Sequence, residues 1–246
     1  MKPSVWPKIV PPLTAEQKAI NDDFVHYWHE VLPRRYGVIE DFNHNYPIRH
    51  APREFLTTLE IGAGLGTHLN YERLSSEQER NYTALELREN MVAGIRDRFP
   101  NVRSTLGDCQ ERLPFPDGHF DRILAIHVLE HLPNLPAAIH EAHRVCHPER
   151  GTFSVVIPCE GGLAYSLARK LSAQRLFEKR YRQSYDWFIQ REHLNRPHEI
   201  LFELTTHFDV VHRAWFPLGV PLVALNLCLG LTLRPRSRAA GIQNAA

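Results

Sequence analysis

Three groups of residues in this chain are spaced for chemistry. The first is Glu60-Ile61-Gly62-Ala63-Gly64-Leu65-Gly66, a carboxylate followed by glycines at every second position. Glycine lets the backbone turn sharply and lets a ligand reach the main chain where a Cβ would block it. The free N–H groups of a helix beginning there would add a partly positive rim. A dinucleotide fingerprint, G-x-G-x-x-G, would need its third glycine at Thr67, so the spacing fits an NAD-type ligand poorly. The second group is a pair of acids, Glu86 and Asp108, each expected at the C-terminal end of a strand, where open parallel sheets collect ligands. Glu86 lies twenty residues after Gly66, the separation at which such folds offer a carboxylate to a ribose diol. The third is His127-Val128-Leu129-Glu130-His131, which spells the H-x-x-E-H of inverted zinc peptidases. That chemistry needs both histidines on one face of a continuous helix. Here His127 ends a strand, and Pro133 and Pro136 leave room for one short turn, so no metal is expected at the site.

These groups need a frame, and the chain supplies alternating strand and helix patterns. A capping box at Thr14-Ala15-Glu16-Gln17 opens a helix with Ile20, Phe24, Trp28 and Val31 or Leu32 on one face, ending before Pro33. Residues 34–52 mix aromatics and histidines with turn formers and read as a lid or a surface loop. Phe55 to Ile61 leads as a strand into the glycines, and 67–75 reads as the first helix of the sheet domain. Strands follow at 81–87, 102–106, 122–126 and 152–157, with helices at 88–99 and 136–145 between them, the pattern of a doubly wound parallel sheet. Beyond it lie an amphipathic segment marked by Leu163, Leu167 and Leu171, a basic and aromatic stretch to about residue 200, a helix at 197–206, and two last strands.

The run Leu59 to Gly66 resembles the first motif of class I S-adenosylmethionine-dependent methyltransferases, a hydrophobic strand ending in acid-x-Gly-x-Gly-x-Gly. Phe120-Asp121-x-Ile123, a strand, and then Leu129-Glu130-His131-Leu132 are typical of the type 11 group within that class. The resemblance implies an α/β fold with a doubly wound, mostly parallel seven-stranded sheet, a C-terminal antiparallel hairpin and a helical cap. The chain then divides into an N-terminal helix and the lid or loop over 1–52, a methyltransferase domain over 53–235 with a cap insertion at about 160–200, and a tail over 236–246 whose basic, then small and polar composition reads as disordered. S-adenosylmethionine would lie across the strand ends. Its methionine end would meet Glu60, Gly62, Ala63, Gly64 and Gly66, its ribose Glu86 and Leu87, its adenine Asp108 and Cys109, with His127 near the sulfonium. His127, His131 and His193 are candidate bases, since histidine titrates near neutral pH. A cofactor-binding module without catalysis would be expected to lose Gly62, Gly64 or Glu86, and all three are present. A hydrolase holding zinc through His127, Glu130 and His131 is the remaining alternative.

Composition bounds the partners. With 246 residues, 43% of them hydrophobic, the chain can bury one full core. A formal charge of +1 argues against bulk capture of nucleic acid. Four scattered cysteines read as reduced thiols of a cytoplasmic protein, and the lysines and prolines of residues 1–12 do not resemble a signal peptide. Nineteen uncharged residues, Trp215 to Leu233, are long enough for a membrane span, but their prolines, glycines and Asn226 favour buried sheet, with an exposed apolar loop as the alternative. That stretch and the basic, aromatic cap together point to a small-molecule or lipid-like acceptor, amphipathic and anionic, and to peripheral contact with a membrane.

Overall fold

Period-two alternation assigns the two faces of the sheet before any helix is placed. Leu59, Ile61, Leu85, Ile123, Ala125, Val155 and Ile157 fall on one face and pack into one large apolar cluster, while Tyr82, Ala84, Leu124 and Val156 fall on the other. In a computed structural model that describes residues 5–35 and 37–237, these strands form a seven-stranded sheet of order β3-β2-β1-β4-β5-β7-β6. The strands are β1 (Thr58–Ile61), β2 (Tyr82–Glu86), β3 (Arg103–Leu106), β4 (Arg122–Ile126), β5 (Thr152–Pro158), β6 (Phe208–Phe216) and β7 (Cys228–Pro235). The first five are parallel, and β7 enters antiparallel between β5 and β6, as the expected C-terminal hairpin. The order reverses between β1 and β4, the crevice where doubly wound sheets bind ligands.

Helices α1 (Ala15–Arg35), α2 (Gly37–Arg49), α3 (Ser76–Arg80), α4 (Glu89–Arg98), α5 (Leu135–Val145), α6 (Leu163–Arg169), α7 (Arg175–Tyr181), α8 (Asp186–Glu192) and α9 (Pro197–His207) complete the chain, with a π-helical turn at 170–174 joining α6 to α7. Buried residues of α5 and α9 complete the first cluster, and Ile95 of α4 joins the second. Phe24 of α1 sits edge-on to Phe177 and Phe188, with ring centroids 5.0 and 5.1 Å apart. Around it α7 and α8 build a satellite aromatic core, so α1 belongs with the cap.

Several elements differ from the sequence reading. The Thr14 capping box forms, with Gln17 N 3.1 Å from Thr14 Oγ1, but α1 continues through Pro33 to Arg35. The side chains of Trp28, Val31 and Leu32 lie outside the described residues. The segment expected as a lid or a surface loop is the helix α2, whose residues serve two faces at once. Glu40, Asn43 and His44 turn into a buried polar chain, while Phe42 stacks on Phe216 at 4.9 Å and Tyr46 lies over Gly230 of β7. A helix that buries polar and aromatic residues on different sides has no simple apolar stripe, and tertiary packing overrides its turn-forming residues. A Cβ on Gly230 would stand 2.7 Å from the Tyr46 ring, so only glycine admits this approach.

The helix expected over 67–75 is a single 3-10 turn at His68–Asn70, and helix resumes at α3 behind a Ser75–Gln78 capping box. His68 and Glu72 turn inward instead, toward a wholly buried Arg122. Leu163, Leu167 and Leu171 do not face the core; they are 76%, 59% and 67% exposed. The uncharged stretch divides. Its ends are strand, but Leu218, Val220, Leu222 and Leu225 between β6 and β7 are exposed. No described helix is long and apolar enough to cross a membrane. Of the expected tail, Arg236 pairs with Asp209 at 2.7 Å, and 238–246 lie outside the described residues.

Candidate active site

The ends of β1, β2 and β4 open into a cavity of about 580 Å³, roofed by α2 on one side and by α6 and α8 on the other. Every residue placed near a cofactor by the sequence reading lines it except Gly66, and all three candidate histidines do too.

The end of the cavity at the glycine turn is built from backbone. After Ile61 the chain turns through Gly62 at φ +66° and Gly64 at φ +58°. A Cβ on Gly62 would lie 2.5 Å from Val128 Cγ2, so both the conformation and the packing demand glycine. Gly62 N and Ala63 N both donate to Leu85 O, which ties the loop to β2. Glu86 closes the arrangement, its Oε2 accepting from Gly64 N at 3.0 Å and its Oε1 from Arg88 N at 3.1 Å. The carboxylate is thereby fixed at the strand end with acceptor capacity left over. Asp108 follows β3 and accepts from Gln110 N at 2.8 Å. Cys109 beside it is buried, which pushes its thiol up to about 12 and leaves it inert at neutral pH.

Glu60 is buried beside Tyr82, whose hydroxyl donates to Oε2 at 2.8 Å. Burial pushes its carboxyl up to about 8, against the pull of Tyr82 and Arg122. It adjoins a polar chain that the sequence reading did not find. Glu40 pairs with His44 at 3.3 Å, His44 Nδ1 with His68 Nδ1 at 3.3 Å, His68 Nε2 with Glu72 at 2.8 Å, and Glu72 with Arg122 at 2.7 Å. The polar chain joins α2 to β4, and its members Glu40, His44 and His68 line the cavity. Its only sequence signal is an arginine at the start of an otherwise apolar strand, Arg122-Ile123-Leu124-Ala125-Ile126.

The opposite end, around His127, is built from side chains of distant segments. His127 takes the left-handed conformation, φ +53°, which histidine rarely adopts and which marks functional sites. Its Nδ1 is 3.2 Å from Glu130 Oε1 and its Nε2 is 4.0 Å from Cys228 Sγ. Burial would lower its pKa, but the hydrogen bonds and charges of Cys228 and Glu130 hold it well above the usual range. Glu130 is held down at about 2 despite burial, by the His127 hydrogen bond and the charges of His131 and His193. Burial lowers His131. The rings of His131 and His193 meet at 5.2 Å. The H-x-x-E-H pattern therefore does not assemble on a helix: the segment is a 3-10 turn, Leu129–His131, and its two histidines take different partners.

Asn195 is the clamp that sequence reasoning missed. Fully buried, it donates from Nδ2 to Leu129 O at 2.7 Å and Leu132 O at 2.8 Å, and from its own N to Glu130 O at 2.9 Å. It ties the turn after β4 to the segment carrying His193. The aromatic residues of the cap, expected to offer stacking surface, mostly pack on each other around Phe24. Tyr185 and Phe188 also reach the cavity. Several cap cations are engaged at home: Arg169 with Glu160, Arg180 with Asp23, Arg191 with Pro11 O.

The chain is similar in sequence and in fold to known proteins. A family model described as a methyltransferase domain matches residues 59–154. A probable S-adenosylmethionine-dependent methyltransferase of Mycolicibacterium smegmatis is 32% identical over 150 residues, covering 60% of this chain and 51% of the relative. A malonyl-[acyl-carrier protein] O-methyltransferase of Halorhodospira halophila is 30% identical over 105 residues, 42% of this chain and 34% of that protein. The chain thus spans about half or less of the length of these curated relatives. The crystal structure of a TehB-like S-adenosylmethionine-dependent methyltransferase from Corynebacterium glutamicum has the same fold, with TM-score 0.59 at 16% identity, covering 89% of this chain and all of the other. Residues 59–154 thus match a methyltransferase domain, and the sheet has the seven-stranded fold seen in an S-adenosylmethionine-dependent methyltransferase.

Proposed function

We propose that the protein transfers a methyl group from S-adenosylmethionine to an amphipathic, lipid-like acceptor. The observation that carries the donor half is the placing of Glu60, Glu86 and Asp108 around one cavity floored by the Gly62–Gly64 turn. Its volume, about 580 Å³, lies in the range of small-molecule sites. Gly64 has open space where a Cβ would stand, so a ligand can lie against the main chain. Glu86, with its carboxylate pre-aimed, would take the ribose hydroxyls, Asp108 the adenine amino group, and the Gly62–Gly64 turn with Glu60 the methionine end. When bound, S-adenosylmethionine supplies a methyl group on a sulfonium, an electrophile displaced in line. The protein then has mainly to hold the acceptor close and aligned, an effect worth about 7–11 kcal/mol in favourable cases. His127, His131 and His193 line the same cavity, beside the space left for the acceptor.

An exposed apolar surface beside the cavity supports the lipid-like acceptor. Leu163, Leu167 and Leu171 recur every four residues along one side of α6 and the turn after it, while Tyr165, Ala168 and Arg169 on the neighbouring side line the cavity. Gly162, at the start of α6, packs so tightly on Val223 that a Cβ would stand 2.3 Å from its carbonyl oxygen. This brings the exposed leucines of the β6–β7 loop beside α6. Lys170 and Arg175 are exposed at the margin. An apolar patch with basic flanks suits a surface of anionic lipid. Peripheral attachment there would bring a lipid-borne acceptor to the cavity mouth. The test is co-sedimentation with vesicles of phosphatidylglycerol and phosphatidylcholine, with Leu167→Ser and Leu222→Ser combined. Binding weakened about 10-fold or more by the pair would support the reading, each exposed leucine being worth roughly 1.5 kcal/mol or more when buried. Equal sedimentation of both proteins would sink it.

A further inference from the structure

One corner of the cavity is built like a coordination site. Glu130, His131 and His193 each bring a ligand atom to within 4.8 Å of the other two. Glu130 is 1% exposed; Oε1 receives His127, and Oε2 is buried with no hydrogen-bond partner. A buried carboxylate oxygen left bare is costly unless something fills the position it faces. Both histidines are oriented from behind. His131 Nδ1 donates to the Glu192 carbonyl at 2.5 Å, and His193 Nδ1 donates to Glu160 Oε2 at 2.9 Å. Glu160 is fixed in turn by Arg169 at 2.5 Å. An imidazole whose N–H is held by a carbonyl or carboxylate has a fixed tautomer and ring orientation, with the lone pair of Nε2 free to ligate. His131 Nε2 is 3.9 Å from Glu130 Oε1.

The geometry points to a divalent transition-metal site at Glu130, His131 and His193, with open coordination positions facing the cavity. Two imidazoles and one carboxylate suit zinc or manganese; magnesium and calcium prefer all-oxygen shells. A cation about 2.0–2.2 Å from each donor would draw the three side chains together by small rotations. The set cuts across the H-x-x-E-H pattern. It takes the glutamate and the second histidine, omits His127, whose ring nitrogens face Glu130 Oε1 and Cys228, and recruits a histidine from the cap. Asn195 holds the two contributing segments together. Resting on the methyl-transfer reading, the cation would bind a hydroxyl or carboxylate oxygen of the acceptor, align it and lower its proton affinity. No general base is then required of His131 or His193.

The test is equilibrium dialysis of the chelator-treated full chain against zinc chloride or manganese chloride, with elemental analysis. Wild type should retain one equivalent, and Glu130→Gln and His193→Gln should lose it while melting within a few degrees of wild type. His127→Gln should keep the metal. Glu160→Gln, which leaves all three ligands in place, should weaken binding by about 10–100-fold. No stoichiometric metal in wild type, or equal retention by wild type, Glu160→Gln and His193→Gln, would overturn the site. S-adenosylmethionine titrated into the same samples separates the two readings. Cofactor binding without metal sinks this inference alone, whereas metal binding without cofactor leaves the cation site and sinks the donor reading.

Discussion

The two ends of the cavity are made in different ways. At the donor end, the Gly62–Gly64 turn, Glu86 and Asp108 lie within a few residues of strand ends, and the groups that face a ligand are main chain or short carboxylates held by main chain. At the acceptor end, Glu130, His131, His193, Glu160 and Asn195 come from the turn after β4, from the end of β5 and from the cap, and they hold one another by side-chain contacts. A backbone site requires particular local conformations, so it survives only with a narrow set of residues at fixed spacing. A side-chain site requires only that distant segments meet, which many sequences can satisfy. The donor end is therefore legible as a local motif, whereas the acceptor end is visible only once the chain is folded.

That contrast can be broken at either end. The largest effect is expected from Gly62→Ala. The new Cβ would enter Val128 at 2.5 Å with the backbone held at φ +66°. Strain and clash together cost roughly 3 kcal/mol, or about 100-fold in cofactor affinity. Calorimetric titration reads it, and an unchanged affinity would mean that the backbone turn does not shape the donor end.

A smaller and opposite split is expected from Asn195→Ala. Loss of its bonds to Leu129 O and Leu132 O should cost about 2–3 kcal/mol of stability and lower turnover. Cofactor affinity should change less than about 3-fold, since additivity holds for separated sites. Equal losses of cofactor affinity and turnover would show that the two ends are one unit.

Glu60 sharpens the comparison through pH. Its carboxyl is raised from 4.5 to about 8 in the folded chain, so the fold binds a proton that the unfolded chain releases. Stability is full below about 4.5 and falls as pH rises toward about 8, by at most about 1.4 kcal/mol per pH unit. Glu60→Gln mimics the neutral form and should flatten that slope in urea melts followed from pH 5 to pH 8. A slope identical to wild type would assign the effect elsewhere.

The five parallel strands, the hairpin and the glycine loop were legible in the sequence, because period-two alternation and glycine spacing are local signals. Gly62, Gly64, Glu86 and Asp108 could each be placed at a strand end and do meet in one cavity. The α2 helix was not legible, since its buried face is polar: Glu40, Asn43 and His44. Nor was the polar chain through His68, Glu72 and Arg122, whose members are charged residues that only tertiary pairing makes compatible with burial. Leu163, Leu167 and Leu171 misled for the converse reason. Helical period shows that apolar residues share a face, and it is silent on whether that face meets a core or an outside partner.

The central claim is that the donor end holds S-adenosylmethionine through the Gly62–Gly64 turn and the Glu86 carboxylate. Isothermal titration of the wild type and of Glu86→Ala with S-adenosylmethionine and S-adenosylhomocysteine tests it directly. The account predicts saturable one-to-one binding of both ligands by the wild type, weakened about 10–100-fold by the variant, as expected for losing charged hydrogen bonds worth about 1.5–3 kcal/mol. Absence of heat with the wild type, or equal affinity in both proteins, would contradict it.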